Sequence, residues 1–125
     1  MNGIERFKFS LQNAFAGVKI ALRTQRNLRI HLFVGAFIIA LSFLLQINAI
    51  EWSLLLLTIS IVLVAEFINT ALEFSIDLIS PQFSSLAKKA KDISAAAVLI
   101  AAFVSLIIGL IVFGPKILTL LAVAL

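Results

Sequence analysis

Residues 52–77 read WSLLLLTISIVLVAEFINTALEFSID: an uncharged apolar run from Trp52 to Ala65, then Glu66, Asn69, Glu73 and Asp77 set into a continuing apolar pattern. A helix turns about 100° and rises about 1.5 Å per residue, so with Glu66 at 0° the other three fall at about 300°, 340° and 20°. Four polar side chains therefore share a sector of about 80° on an otherwise apolar helix. This stripe runs about 16 Å along the axis, from Glu66 inside the apolar run to Asp77 near its end. On insertion scales a carboxylate at the bilayer centre costs about 2.5–3.5 kcal/mol, so three acids on one face need partners, ions or water. An ionisable residue within a membrane span is a functional-site hypothesis by default. The alternative is an assembly device, in which these acids pair with Lys91 or with arginines of a neighbouring helix.

The rest of the chain supports the membrane setting. Of 125 residues, 62% are hydrophobic and 13% charged, with a mean hydropathy of +1.18. Soluble domains carry about 25% charge, and a chain this short could not cover so much apolar surface in water. A soluble enzyme is excluded. Residues 30–50, 52–79 and 93–113 are each long enough to cross a bilayer as a helix. Ser80-Pro81 ends the second span, and Gly114-Pro115 is expected to end the third, leaving residues 116–125 as an apolar tail without a placement. The leading apolar run starts only at Ile30 and is too long for a signal h-region, so the N-terminus is expected to be retained. Without cysteine there are no disulfides, thiolate metal sites or thiol nucleophiles.

The net charge is +4 and the pI near 10, but the basic residues cluster beside apolar runs without aromatic interleaving, which argues against nucleic acid as a partner. They report orientation instead. Arg6, Lys8, Lys19, Arg23, Arg26 and Arg29 precede the first span, and Lys88, Lys89 and Lys91 lie between the second and third. Lys and Arg accumulate on the cytoplasmic side, so the N-terminus and the second loop are expected there, with Lys116 opposite. Within residues 1–29, Phe7, Leu11, Phe15, Val18 and Leu22 recur at helical spacing, with Lys8, Gln12, Lys19, Arg23 and Arg26 elsewhere on the wheel. Such a helix lies in the headgroup plane or packs on the other spans; both readings keep it at the membrane surface.

Hard oxygen ligands one turn apart, with one histidine and no cysteine, favour Mg²⁺ over zinc or copper, and Mg²⁺ suggests phosphate. A carboxylate deeper than the metal is a candidate base for a hydroxyl group. Lys91 and Asp92, before the third span, could supply a cation for phosphate oxygens and a further acid. Gly3, Gly17, Gly35, Gly109 and Gly114 are scattered, so neither a P-loop nor a Gly-rich kinase loop can be built. Three spans make too little wall to enclose a nucleotide and a lipid, so a site between protomers, and hence an oligomer, is expected.

The run Glu66-Phe-Ile-Asn69-Thr-Ala-Leu-Glu73-Phe-Ser-Ile-Asp77, then Ala90-Lys91-Asp92 and Ser94-Ala95-Ala96-Ala97-Val98, resembles the signature of the bacterial membrane diacylglycerol kinase and undecaprenol kinase family. The resemblance covers nearly the whole chain. It implies an all-α membrane protein with a surface helix and three transmembrane helices, a homotrimer with shared active sites, and a home in the bacterial cytoplasmic membrane. It also implies ATP- and Mg²⁺-dependent phosphorylation of a lipid hydroxyl. By motif position, Glu66 would be the general base and Glu73 a metal ligand that also serves the nucleotide. Asn69 would support the site, and Asp77, Lys91, Asp92 and Arg6 would contact the nucleotide. One departure is plain: where the family carries a metal-holding glutamate before the first span, this chain has Gln25. An amide oxygen can still coordinate Mg²⁺ but adds no charge.

Arg26-Asn-Leu-Arg-Ile-His31, Ile50-Glu51-Trp52 and Phe113-Gly-Pro-Lys116 look more like the undecaprenol branch than the diacylglycerol branch. Trp52 reads as an interfacial anchor. His31 reads as a capping or headgroup-level residue, with contact to a substrate phosphate as the alternative. The leading expectation is thus a lipid kinase, with undecaprenol ahead of diacylglycerol as acceptor. A small oligomeric proton-coupled transporter would explain Glu66 but leaves Glu73, Asp77 and Lys91-Asp92 without a task. A structural membrane subunit whose charges direct assembly is the third reading.

Overall fold

The computed structural model describes residues 2–124; Met1 and Leu125, ends of the expected surface helix and of the apolar tail, lie outside the described residues. Among the described residues the chain forms four α-helices and no strand: α1 (Gly3–Thr24), α2 (Arg26–Leu44), α3 (Ala49–Ile79) and α4 (Ser85–Ala124). The last three are long and apolar enough to cross a membrane. The protein is an all-α membrane protein.

Helix α1 opens with a capping box: the Asn2 side chain accepts from the Glu5 amide while the Glu5 carboxylate accepts from the Asn2 amide. It ends at Gln25, whose extended backbone (φ −104°, ψ 111°) is both the C-cap of α1 and the N-cap of α2. The surface helix therefore stops five residues before residue 29, and Arg26–Arg29 belong to α2. Arg29 Nη1 donates to the carbonyls of Leu22 and Arg23 at 2.9 and 3.2 Å, covering the open C-terminal carbonyls of α1 and fixing the corner. Phe7 and Phe15 on the apolar face of α1 stay exposed, and Ala21 is its one buried residue. Within one chain, α1 packs chiefly on α2, the first span, and less closely than the spans pack on one another.

The first span is shorter than its apolar run. Helix α2 stops at Leu44, with Ile47 N–H donating to Ser42 O and Gln46 N–H to Phe43 O, the two bonds of a Schellman closure. Gln46 takes φ 48° there, a left-handed position usually given to glycine. Asn48 then caps α3 in a second capping box with Glu51. Ile47 closes the turn by burying with Leu55, Val112 and Phe113, and this cluster locks the end of α2 and the start of α3 onto the later part of α4. Beside it Phe43 packs on Trp52 with ring centroids 4.8 Å apart, and Lys116 pairs with Glu51 at 3.2 Å.

Ser80 ends α3 as expected, but α4 corrects two expectations. It begins at Ser85, so Lys88, Lys89 and Lys91 ride on a helix and not in a loop. And it does not end at Gly114-Pro115; it continues through Pro115 to Ala124, making the apolar tail part of the same helix. Pro115 removes one N–H, but in an apolar medium a broken helix would strand several more backbone groups, so continuing costs less than stopping. Thr119 Oγ1 donates to the Pro115 carbonyl, 2.9 Å away. α3 packs chiefly on α4 and less on α2. Gly35 marks the close α2–α3 approach, since a Cβ there would lie 3.3 Å from Ile59 Cγ2.

Candidate active site

The stripe on α3 faces inward where the helices meet. Glu66 and Asn69 are buried at 3% and 8% exposure, Glu73 is half-buried and Asp77 exposed, so the polar face grades from the interior to water along one helix. α3 carries this stripe because its apolar residues, such as Val64, Ile68 and Leu72, occupy the other faces and stay exposed on the single chain.

Around Glu73 three elements converge. Asn69 Nδ2 donates to Glu73 Oε1 at 3.2 Å, and Gln25 Nε2 donates to Glu73 Oε2 at 3.4 Å from the α1–α2 corner. Ser94 on α4 donates to Asn69 Oδ1, which sets the amide so that its nitrogen faces Glu73; the same hydroxyl oxygen lies 3.0 Å from the Lys91 carbonyl. Further toward the end of α3, Lys91 Nζ pairs with Asp77 Oδ1, while Asp92 pairs with Lys88 at 2.6 Å. The first of these is the pairing foreseen by the assembly reading, realised for one of the three acids. Both pairs are largely exposed and contribute little to stability.

At the deep end, His31 Nε2 of α2 lies 3.3 Å from Glu66 Oε1. This contact gives His31 a partner within the protein that the capping, headgroup-level and phosphate readings did not include. Counting along the chain could have found it: His31 lies 16 residues before the turn residue Ile47 and Glu66 19 after it, which puts both at similar depth on antiparallel helices. Ser94 was visible only as part of a small-residue run, and its role in orienting Asn69 needs the α3–α4 packing.

These groups border a cavity of about 510 Å³ whose walls include Asn27, His31, Glu66, Asn69 and Asp92, with Ala95, Ala96 and Ala102 leaving the space on the α4 side. An apolar groove of about 360 Å³ runs away from it between α2, α3 and α4, past Gly35, Val62 and Gly109 toward Phe113. Gln25, Glu66, Asn69, Glu73, Asp77, Lys91 and Asp92 thus gather along one face. Arg6 does not join them: it is exposed on the first turn of α1, and the 19 residues that separate it from Gln25 make about 28 Å of helix.

Mg²⁺ is bound by one or two carboxylates, with waters and substrate phosphates completing an octahedron. Glu73 supplies one carboxylate and Gln25 beside it an amide oxygen, while Asn69, with its nitrogen on Glu73 and its oxygen taken by Ser94, orients the carboxylate and is no ligand itself. Among the described residues no three acidic or histidine side chains converge to hold an ion by themselves. The residues fit a Mg²⁺ that arrives with a nucleotide.

A family model for prokaryotic diacylglycerol kinase matches residues 12–113. The chain is 38% identical over 115 residues to the undecaprenol kinase of Bacillus subtilis, covering 92% of this chain and 94% of that one. It is 43% identical over 113 residues to a diacylglycerol kinase of Synechocystis, covering 90% of this chain and 65% of that protein. A Helicobacter pylori diacylglycerol kinase is 33% identical over 118 residues, 94% of this chain and 89% of its own length. A polar stripe that runs from the interior of a three-span membrane fold to its surface and matches of this extent agree: the chain belongs to the prokaryotic diacylglycerol kinase family and is a membrane lipid kinase.

Proposed function

We propose that this protein transfers the γ-phosphate of ATP, with Mg²⁺, to the hydroxyl of undecaprenol, giving undecaprenyl phosphate on the cytoplasmic face of the bacterial inner membrane. The observation that carries the site assignment is the division of the α3 stripe: a buried carboxylate at Glu66, and two turns away a half-buried one at Glu73 with amides on either side. The first suits an acceptor hydroxyl delivered from the membrane, the second a nucleotide delivered from water.

In this mechanism Gln25 and Glu73 would hold Mg²⁺, which when bound would neutralise phosphate charge. Lys91 turns from Asp77 to the phosphate oxygens, and Asp77 and Asp92 bound the nucleotide end. Glu66 accepts the hydroxyl proton as the lipid oxygen attacks the γ-phosphorus in line. A new O–P bond forms, the bond from the γ-phosphorus to the β–γ bridging oxygen breaks, ADP leaves, and the proton passes from Glu66 to water. Catalysis is positioning plus charge neutralisation. The distance of Arg6 from these residues supports a homotrimer in which Arg6 serves a neighbouring copy's site. The basic N-terminal stretch and Lys88, Lys89 and Lys91 support a cytoplasmic N-terminus.

Undecaprenol is favoured over diacylglycerol by the Arg26–His31, Ile50–Trp52 and Phe113–Lys116 stretches, and is supported by an identity to the Bacillus undecaprenol kinase of 38% against 33% for the similarly covered Helicobacter diacylglycerol kinase. The higher identity to the Synechocystis diacylglycerol kinase favours the second reading, a kinase that makes phosphatidic acid. Purified protein in mixed micelles, given labelled ATP with either lipid alcohol, with and without Mg²⁺, decides. Faster Mg²⁺-dependent labelling of undecaprenol is expected, and faster labelling of diacylglycerol overturns the assignment. Absence of transfer to both would make Gln25 the first suspect for a weakened metal site, with Gln25→Glu as the rescue.

A further inference from the structure

The mechanism above leaves His31 without a task. It is the chain's one histidine, and it is the one residue that lines both the polar cavity and the apolar groove. We propose that His31 is a positioning residue for phosphoryl transfer: its Nε2 contact with Glu66 Oε1 holds the base at the junction of groove and cavity, where an amphiphilic acceptor must place its hydroxyl. The inference rests on the reading of Glu66 as base.

Three observations carry it. Glu66 is 3% exposed, and among the described residues His31 is the basic side chain within reach of its carboxylate, with no Lys or Arg at that distance. A buried carboxylate left alone is costly, and its three side-chain torsions would let it wander, so the contact both stabilises and aims it. Imidazole is suited to this in a way that Lys or Arg is not: a neutral ring offers one N–H donor without the fixed positive charge that would suppress a base. Second, His31 stands on a rigid platform, since Leu28 one turn earlier is fully buried and Gly35 one turn later sits against Ile59. Third, the junction is where amphiphile chemistry and protein chemistry coincide. A lipid tail in the groove and a γ-phosphate that reaches the polar cavity past Asn69, which lines that cavity and bonds Glu73, would bring the reacting oxygen to the edge that groove and cavity share, and His31 forms that edge.

The test uses the full-length protein in mixed micelles with undecaprenol and MgATP, comparing His31→Leu, His31→Gln, His31→Asn, Glu66→Gln and the double variant His31→Leu/Glu66→Gln. A misaimed catalytic group costs about 10²-fold, so His31→Leu is expected to lower kcat by about that factor while leaving the KM for MgATP within about twofold. The Gln side-chain nitrogen can reach the place of Nε2 and the shorter Asn cannot, so His31→Gln should keep roughly tenfold more activity than His31→Asn. The double variant should be no slower than Glu66→Gln alone, because the two residues act as one unit. A His31→Leu enzyme with wild-type kcat beside an inactive Glu66→Gln overturns the proposal and leaves the base assignment standing. Equal activity in His31→Gln and His31→Asn overturns it too, and this pair decides if His31→Leu does not fold. An active Glu66→Gln variant instead removes the base assignment on which the proposal rests.

Discussion

Glu66→Gln separates chemistry from nucleotide binding, and the structure sets the size of each effect. The substitution keeps the shape of a side chain that is 3% exposed and removes its capacity to take a proton. General-base catalysis contributes about 10²–10⁴-fold, so turnover should fall by that range, about 2.7–5.4 kcal/mol in activation free energy. Glu73 lies seven residues away on the same face, about 10.5 Å along the axis. At an effective dielectric of about 20, a unit charge is felt over that distance by about 1.6 kcal/mol, which bounds the change in MgATP affinity at roughly fifteenfold. The two effects therefore separate cleanly in a steady-state assay with varied MgATP at saturating lipid, backed by nucleotide titration of the purified protein. Retained turnover, or a loss of MgATP binding as large as the loss of turnover, refutes the division of the stripe into a proton-accepting end and a metal end.

Glu73→Gln should show the opposite split, with MgATP binding weakened and the weakening partly reversed by raised Mg²⁺, as read by nucleotide titration at several Mg²⁺ concentrations. Gln25→Glu adds a carboxylate beside Glu73 and should lower the Mg²⁺ concentration for half-maximal activity; an unchanged Mg²⁺ dependence would remove Gln25 from the metal site. Gln46→Gly relieves the left-handed backbone at the α2–α3 turn (φ 48°) and should stabilise the protein by about 0.5–1 kcal/mol against denaturant in micelles; no gain argues that the turn is unstrained. Because the chain has no cysteine, single variants report topology directly. Gln82→Cys should be labelled by a membrane-impermeant thiol reagent only after permeabilisation and Asn48→Cys without it, and the reverse pattern would invert the orientation.

What could be read from the chain alone was what depends on period and composition. Apolar runs long enough for a bilayer, the 3.6-residue period that puts Glu66, Asn69, Glu73 and Asp77 on one face, and the Ser80-Pro81 stop are local properties that survive in any tertiary context. The family signature lies in those same residues, so the lipid-kinase class was legible with them. Helix ends without a glycine or proline marker were not: α2 closes on Gln46 because burying Ile47 against Leu55, Val112 and Phe113 stabilises a turn that local propensity would not choose. The run through Pro115 is the converse, where a strong local breaker yields because an apolar surrounding penalises unpaired backbone more than a lost bond.

Cross-helix partners were decided by the tertiary structure alone. That Gln25 meets Glu73 and that Ser94 orients Asn69 depend on how the helices are registered against one another, whereas the shared depth of His31 and Glu66 could be counted from the turn. Registry is set by side-chain packing between helices, such as Gly35 against Ile59, and hydrophobic periodicity along a single helix carries no information about it.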